Sequence, residues 1–121
     1  LFPYTTLFRS NWGREKQLFT QIHKDDWILE QEPNHYLLQL ITLPSERLVT
    51  KFFDMYPLQE AEKAYFVSKK GGKKIYNVVY GVYQDRGSAL RAVDSLPEGI
   101  RKKEPVIRDY SSVQNYVAGL N

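Results

Sequence analysis

The stretch Ile75-Tyr76-Asn77-Val78-Val79-Tyr80-Gly81-Val82-Tyr83 decides the fold of this chain. Its β-branched and aromatic side chains suit a pleated, half-buried surface. Alternation groups Tyr76, Val78 and Tyr80 on one face, and Asn77, Val79 and Gly81 on the other. A buried amide costs free energy unless it is hydrogen-bonded, so Asn77 marks its face as the outward one. Just before it lies Lys69-Lys70-Gly71-Gly72-Lys73-Lys74, whose paired glycines supply the positive φ angles of a two-residue hairpin turn. Ahead of the turn, Ala64-Tyr65-Phe66-Val67-Ser68 has the same strand composition. The centre of the chain is thus predicted to be an antiparallel hairpin.

Working outward, His35 to Leu43 reads as an earlier strand, stopped by Pro44-Ser45. Ser45 is placed to cap a helix whose face is Leu48, Val49, Phe52, Phe53 and Tyr56. After the hairpin, Asp85 caps a second helix with the face Ala89, Leu90, Ala92, Val93 and Leu96, closed by Pro97. A turn over 97–101 leads to a last strand, Val106-Ile107-Arg108-Asp109-Tyr110. The order β-α-β-β-α-β is a split βαβ arrangement in the α+β class. It predicts a four-stranded antiparallel sheet with both helices on one face. Residues 11–34 read as an N-terminal helical extension, with Leu18, Phe19 and Ile22 on one side and Asp25 or Asp26 capping a second short turn. The sheet domain is taken as 35–113, and 114–121 as a tail.

The sheet's other face carries the functional expectation. Gln39 and Arg108 mark the outward sets of the first and last strands as Asn77 marks the third. That face is expected to hold Gln39, Asn77 and Arg108 among Leu37, Ile41, Val79, Val106 and Tyr110. Amides and a guanidinium over a partly apolar floor suit an extended polar ligand such as a sugar chain.

Composition narrows the classes. The chain has 121 residues, 17 Lys plus Arg against 14 Asp plus Glu, a net charge of +3, no cysteine, and 42% hydrophobic residues. This length and apolar content support one domain with a core. Without cysteine there is no disulfide scaffold and no thiolate zinc site. The small net charge is far from a nucleic-acid-binding signature. No apolar run approaches the roughly 18 residues of a membrane span. His23 and His35 lie in unrelated contexts, so no metal is expected, and Gly71-Gly72 lacks any phosphate-cradling context. Cofactors are expected to be none. Glycan hydrolysis needs two carboxylates about 5–10 Å apart. The open face carries none, and no nucleophile elbow is present. A binding module, not an enzyme, is expected. The lysines beside the turn read as a solvated hairpin end, with steering toward acidic polymers as the other reading.

The first ten residues, Leu1-Phe2-Pro3-Tyr4-Thr5-Thr6-Leu7-Phe8-Arg9-Ser10, follow neither a helical nor a strand period. They match one reading frame of a common short-read sequencing adapter. Residues 1–10 are therefore read as adapter-derived and non-native, and the natural gene is expected to be missing upstream of about Asn11.

From about Trp27 to Val117 the chain resembles a SPOR domain, in particular the type at the C-terminus of DamX-like cell-division proteins. The resemblance rests on an ordered set: Asp26-Trp27-Ile28-Leu29, His35-Tyr36-Leu37-Leu38-Gln39-Leu40, the Ile75–Tyr83 strand, Ala89, Ala92 and Leu96-Pro97, and Lys103-Glu104-Pro105-Val106-Ile107-Arg108. It implies a non-enzymatic domain that binds peptidoglycan, with a preference for septal glycan strands stripped of stem peptides. The ligand would lie on the open sheet face, at Gln39, Ile41, Asn77, Val79, Val106 and Arg108. The resemblance further implies a periplasmic domain of an inner-membrane-anchored Gram-negative protein, with division-machinery partners, no nucleic acid and no membrane contact of its own. One departure stands out. Related proteins often carry Trp where Val106 stands, leaving Tyr110 or Tyr80 as the aromatics to replace it. The rivals are an RRM-like single-stranded RNA-binding domain, which shares the element order, and a ferredoxin-like protein-interaction module.

Overall fold

The computed structural model describes residues 22–58 and 62–119. The expectations for residues 1–10, and for the helix face at Leu18 and Phe19, lie outside the described residues. The elements are α1 (Asp25–Leu29), β1 (Tyr36–Leu43), α2 (Glu46–Met55), β2 (Lys63–Lys70), β3 (Lys73–Tyr83), α3 (Arg86–Asp94), α4 (Glu98–Arg101), β4 (Val106–Asp109) and α5 (Tyr110–Gly119). One sheet holds all four strands in the order β2-β3-β1-β4, every neighbour antiparallel.

Local chemistry starts and stops these elements. The Ser45 hydroxyl accepts from the Leu48 N–H at 3.4 Å and opens α2. The Asp85 carboxylate accepts from the Ser88 N–H at 2.7 Å and opens α3. Each satisfies a donor that a helix start leaves without a partner. Gly71 and Gly72 both take positive φ, 60° and 81°, and close the β2–β3 hairpin in two residues. At α1, Lys24 occupies the cap and makes no side-chain cap bond. The aspartates sit instead in the first turn, where they favour the positive end of the helix dipole. Residues 98–101 wind into α4, a short helix where a turn was expected.

The core lies on both faces of the sheet. On one, Leu38, Leu40, Val78 and Tyr80 pack against Val49, Phe52 and Phe53 of α2, and Ala89 of α3. On the other, Leu37, Ala64, Phe66 and Val79 lie under Ile28 of α1 and Tyr110, Val113 and Val117 of α5. The expected tail over 114–121 is corrected by this second layer: residues 110–119 form a helix. Tyr110, Val113 and Val117 fall at i, i+3 and i+7, one buried stripe.

The second layer is tied down by polar contacts. Tyr110 Oη donates to the Gly81 carbonyl at 2.6 Å. Burial first, and the Glu62 carboxylate next, push the Tyr110 phenol upward, so it stays protonated as a donor. Gln114 Nε2 donates to the carbonyls of Ile28 at 3.0 Å and Gln31 at 2.8 Å, closing the C-terminal end of α1. Tyr110→Phe strands a buried carbonyl and is expected to cost about 2 kcal/mol. A urea midpoint that falls with an unchanged m-value would show it. A midpoint equal to the wild type would mean that the hydroxyl does not hold the helix.

Two β-bulges interrupt the β1–β3 ladder and cancel each other. Between Tyr36↔Tyr83 and Leu38↔Tyr80, β3 carries one extra residue, at the positive-φ Gly81. Between Gln39↔Val79 and Ile41↔Val78, β1 carries the extra residue. Each bulge shifts the residues beyond it to the opposite face.

Candidate functional site

Helices α1 and α5 cover only part of the second face. What stays open is a lane crossing all four strands. Arg108 of β4, Gln39 of β1, Asn77 of β3 and Ser68 of β2 lie along it, joined by diagonal hydrogen bonds. Arg108 Nη1 donates to Gln39 Oε1 at 3.0 Å. Gln39 Nε2 donates to Asn77 Oδ1 at 3.3 Å. Asn77 Nδ2 donates to Ser68 Oγ at 3.0 Å and to the Phe66 carbonyl at 3.1 Å. Register explains the diagonal. Arg108 sits opposite Leu37, Gln39 opposite Val79, and Asn77 opposite Phe66, so each long side chain reaches one pair further along.

The sequence-predicted residues divide into three groups. Gln39 and Arg108 are half-buried and meet at the β4 end of the lane. Val106 stands beside them, opposite Gln39 and 56% exposed. Asn77 lies on the expected face but is only 6% exposed, with both amide donors and its oxygen engaged within the domain. Its place is to orient Gln39 from beneath. Ile41 and Val79 are corrections. The bulge pairs Ile41 with Val78, so it packs partly against the helix-side core and reaches the site only at the border of the Gln39–Val106 pocket, while Thr42 takes the lane position opposite Asn77. Val79 does face away from α2 and α3, but α1 and α5 bury it completely. Leu37 and Tyr110, expected as open floor, are buried with it.

Two pockets flank the Arg108–Gln39 bond. One, of about 260 Å³, is lined by Arg108, Asn77, Phe66, Ser68 and Tyr116. The other, of about 360 Å³, lies between Gln39, Ile41, Thr42, Val106, Lys103 and Glu104. The guanidinium has no ion-pair partner among the described residues. Its N–H groups not taken by Gln39 are therefore available to a ligand oxygen.

Tyr116 is the site residue that sequence reasoning missed. It is 38% exposed, and its ring meets Phe66 edge-on at 6.0 Å. Neither aromatic expected to replace the missing Trp does so. Tyr80 packs in the helix-side core, and Tyr110 is sealed beneath α5. The Tyr110, Val113, Val117 spacing was the signal that residue 116 sits on a helix, one step from the buried stripe.

Among the described residues, no strand presents an exposed aromatic ring to this lane for a base to stack on, as an RRM would. Tyr76 and Tyr80 of β3 side with the helix-side core, and Phe66 of β2 is 2% exposed under Tyr116. Fold and lane together are those of a small α+β domain with a polar, partly open sheet face. The chain belongs to the SPOR domain family, whose pattern matches residues 32–109. Similarity to the cell division protein DamX of Serratia marcescens agrees with this, at 31% identity over 81 residues, 67% of this chain. The chain spans 37% of that relative's length.

Proposed function

We propose that this domain is a non-catalytic module of a cell-division protein that holds peptidoglycan glycan strands in the lane of Gln39, Arg108 and Val106. On this reading Asn77 orients Gln39, and Tyr116 supplies the aromatic wall. The preferred strands are those freed of stem peptides, as at the septum. The domain then works in the periplasm, as part of an inner-membrane-anchored protein with division-machinery partners.

The observation that carries this reading is the Arg108–Gln39–Asn77 chain. It fixes an amide and a guanidinium in one orientation on the uncovered half of the sheet, with donors left over for sugar hydroxyl and carbonyl oxygens. Orientation bought within the fold lowers the ordering cost on binding. Pull-down with insoluble sacculi tests it. Retention is expected on untreated sacculi and more on sacculi treated with an amidase. Equal retention on both would remove the denuded-strand preference. No retention on either, with salt-sensitive binding to single-stranded RNA, would replace the reading altogether.

A further inference from the structure

The open lane does not stop at Ser68 and Asn77. In the β2–β3 hairpin the pairs Phe66↔Asn77, Ser68↔Ile75 and Lys70↔Lys73 follow at intervals of two, so all three lie on the ligand-facing side. The lane therefore runs on to a pair of exposed lysines. Beside them is a pocket of about 300 Å³, floored by Thr42, Pro44 and Ile75 and bordered by Lys70, Lys73 and Lys74.

This arrangement is unfavourable by itself. Lys70 faces Lys73 directly, and Lys69 faces Lys74. Like charges directly opposite one another destabilise a sheet pair. None of the four has a carboxylate within ion-pair distance among the described residues. Protection of an exposed sheet edge explains lysine on β2, the outermost strand. The same protection covers Lys73 and Lys74, because β3 there runs past its last β1 pair, Leu43↔Tyr76, and is unpaired on that side. It does not explain the apolar floor of Pro44 and Ile75 beside Lys70 and Lys73.

Resting on the proposed function, we infer that Lys70 and Lys73 form a carboxylate subsite, and that the preference for denuded strands is recognition of charge there. In a peptide-bearing strand the lactyl carbonyl of each muramic acid is tied up as a neutral amide. Hydrolysis of that amide takes up water, releases the stem peptide and leaves a lactyl carboxylate on the sugar. Two ammonium groups over an apolar floor match a sugar ring that carries such a carboxylate. The ring's C–H face lies on Pro44 and Ile75, and the anion meets Lys70 and Lys73.

The test uses denuded strands in two forms, native and with the lactyl carboxylates converted to carboxamides, titrated calorimetrically against the wild type and the Lys70→Gln/Lys73→Gln variant. The wild type is expected to bind the native form about fivefold more tightly, a difference of the size exposed ion pairs supply. The double variant is expected to bind both forms equally, at the weaker level. Its melting temperature should be unchanged or higher, since a like-charge pair has gone. Equal wild-type affinity for the two forms, or discrimination that survives in the double variant, would overturn the subsite while leaving glycan binding intact. Failure of the wild type to bind either form would instead bring down the glycan reading, and this subsite with it.

Discussion

Arg108→Ala is expected to weaken binding to denuded sacculi by about 10- to 100-fold, the range that loss of charge-assisted hydrogen bonds spans. The guanidinium is the one cation on the hydrogen-bonded chain, and it donates to Gln39 while lining the open pocket with Ser68 and Tyr116. Gln39→Ala should act in the same direction, because it removes an amide and frees Arg108 from its orienting acceptor. Both side chains are half-buried, so neither substitution opens a cavity in either core. Circular dichroism melts should accordingly stay near the wild type. Two variants that melt normally and bind normally would show that the lane is not the ligand site.

Gly81→Ala is expected to destabilise the domain by about 3 kcal/mol, combining a left-handed backbone with overpacking. Gly81 has φ near +90°, a region that L side chains rarely adopt. An added methyl group would stand 2.3 Å from the Tyr83 ring, which would have to swing away from the helix-side core it packs against. The same residue's carbonyl accepts the Tyr110 hydroxyl, so distortion there also loosens α5. Denaturant unfolding measures the loss directly. A variant within about 0.5 kcal/mol of wild type, the usual span of a neutral surface change, would mean that the bulge relaxes freely.

Alternation along a strand is a reliable guide until the ladder slips. It placed Leu38, Leu40, Val78 and Tyr80 together in one core, and Gln39 with Asn77 on the other face. It put Ile41 squarely on the open face, but an extra position in β1 that no residue in the sequence marks turns Ile41 partly into the helix-side core and leaves it at the border of a pocket. Gly81 was visible as a glycine, but the bulge it serves belongs to its pairing with Leu37 and Leu38, which are far away in sequence. Asn77 pointed the right way for a reason only half seen. An amide marks a face as outward only when no partners wait for it there, and Ser68 and the Phe66 carbonyl do wait. The largest gap was α5. Ser111, Ser112 and Asn115, with the β-branched Val113 and Val117, give it weak intrinsic helix propensity, so its stability comes from burying Tyr110, Val113 and Val117. Tertiary support of that kind has no local signature, and with α5 went Tyr116.

The diagonal chain has a consequence for scale. Three interstrand steps separate Arg108 from Ser68, and at about 4.8 Å each they span about 15 Å. With α5 roofing one end of the sheet face, this corridor lies across the strands. The long side chains close much of that span, because Arg108 and Ser68, from opposite edges of the sheet, line one pocket. On the glycan reading, a sugar seated there would be gripped from both edges at once, so any change in sheet twist would be felt as a change in grip.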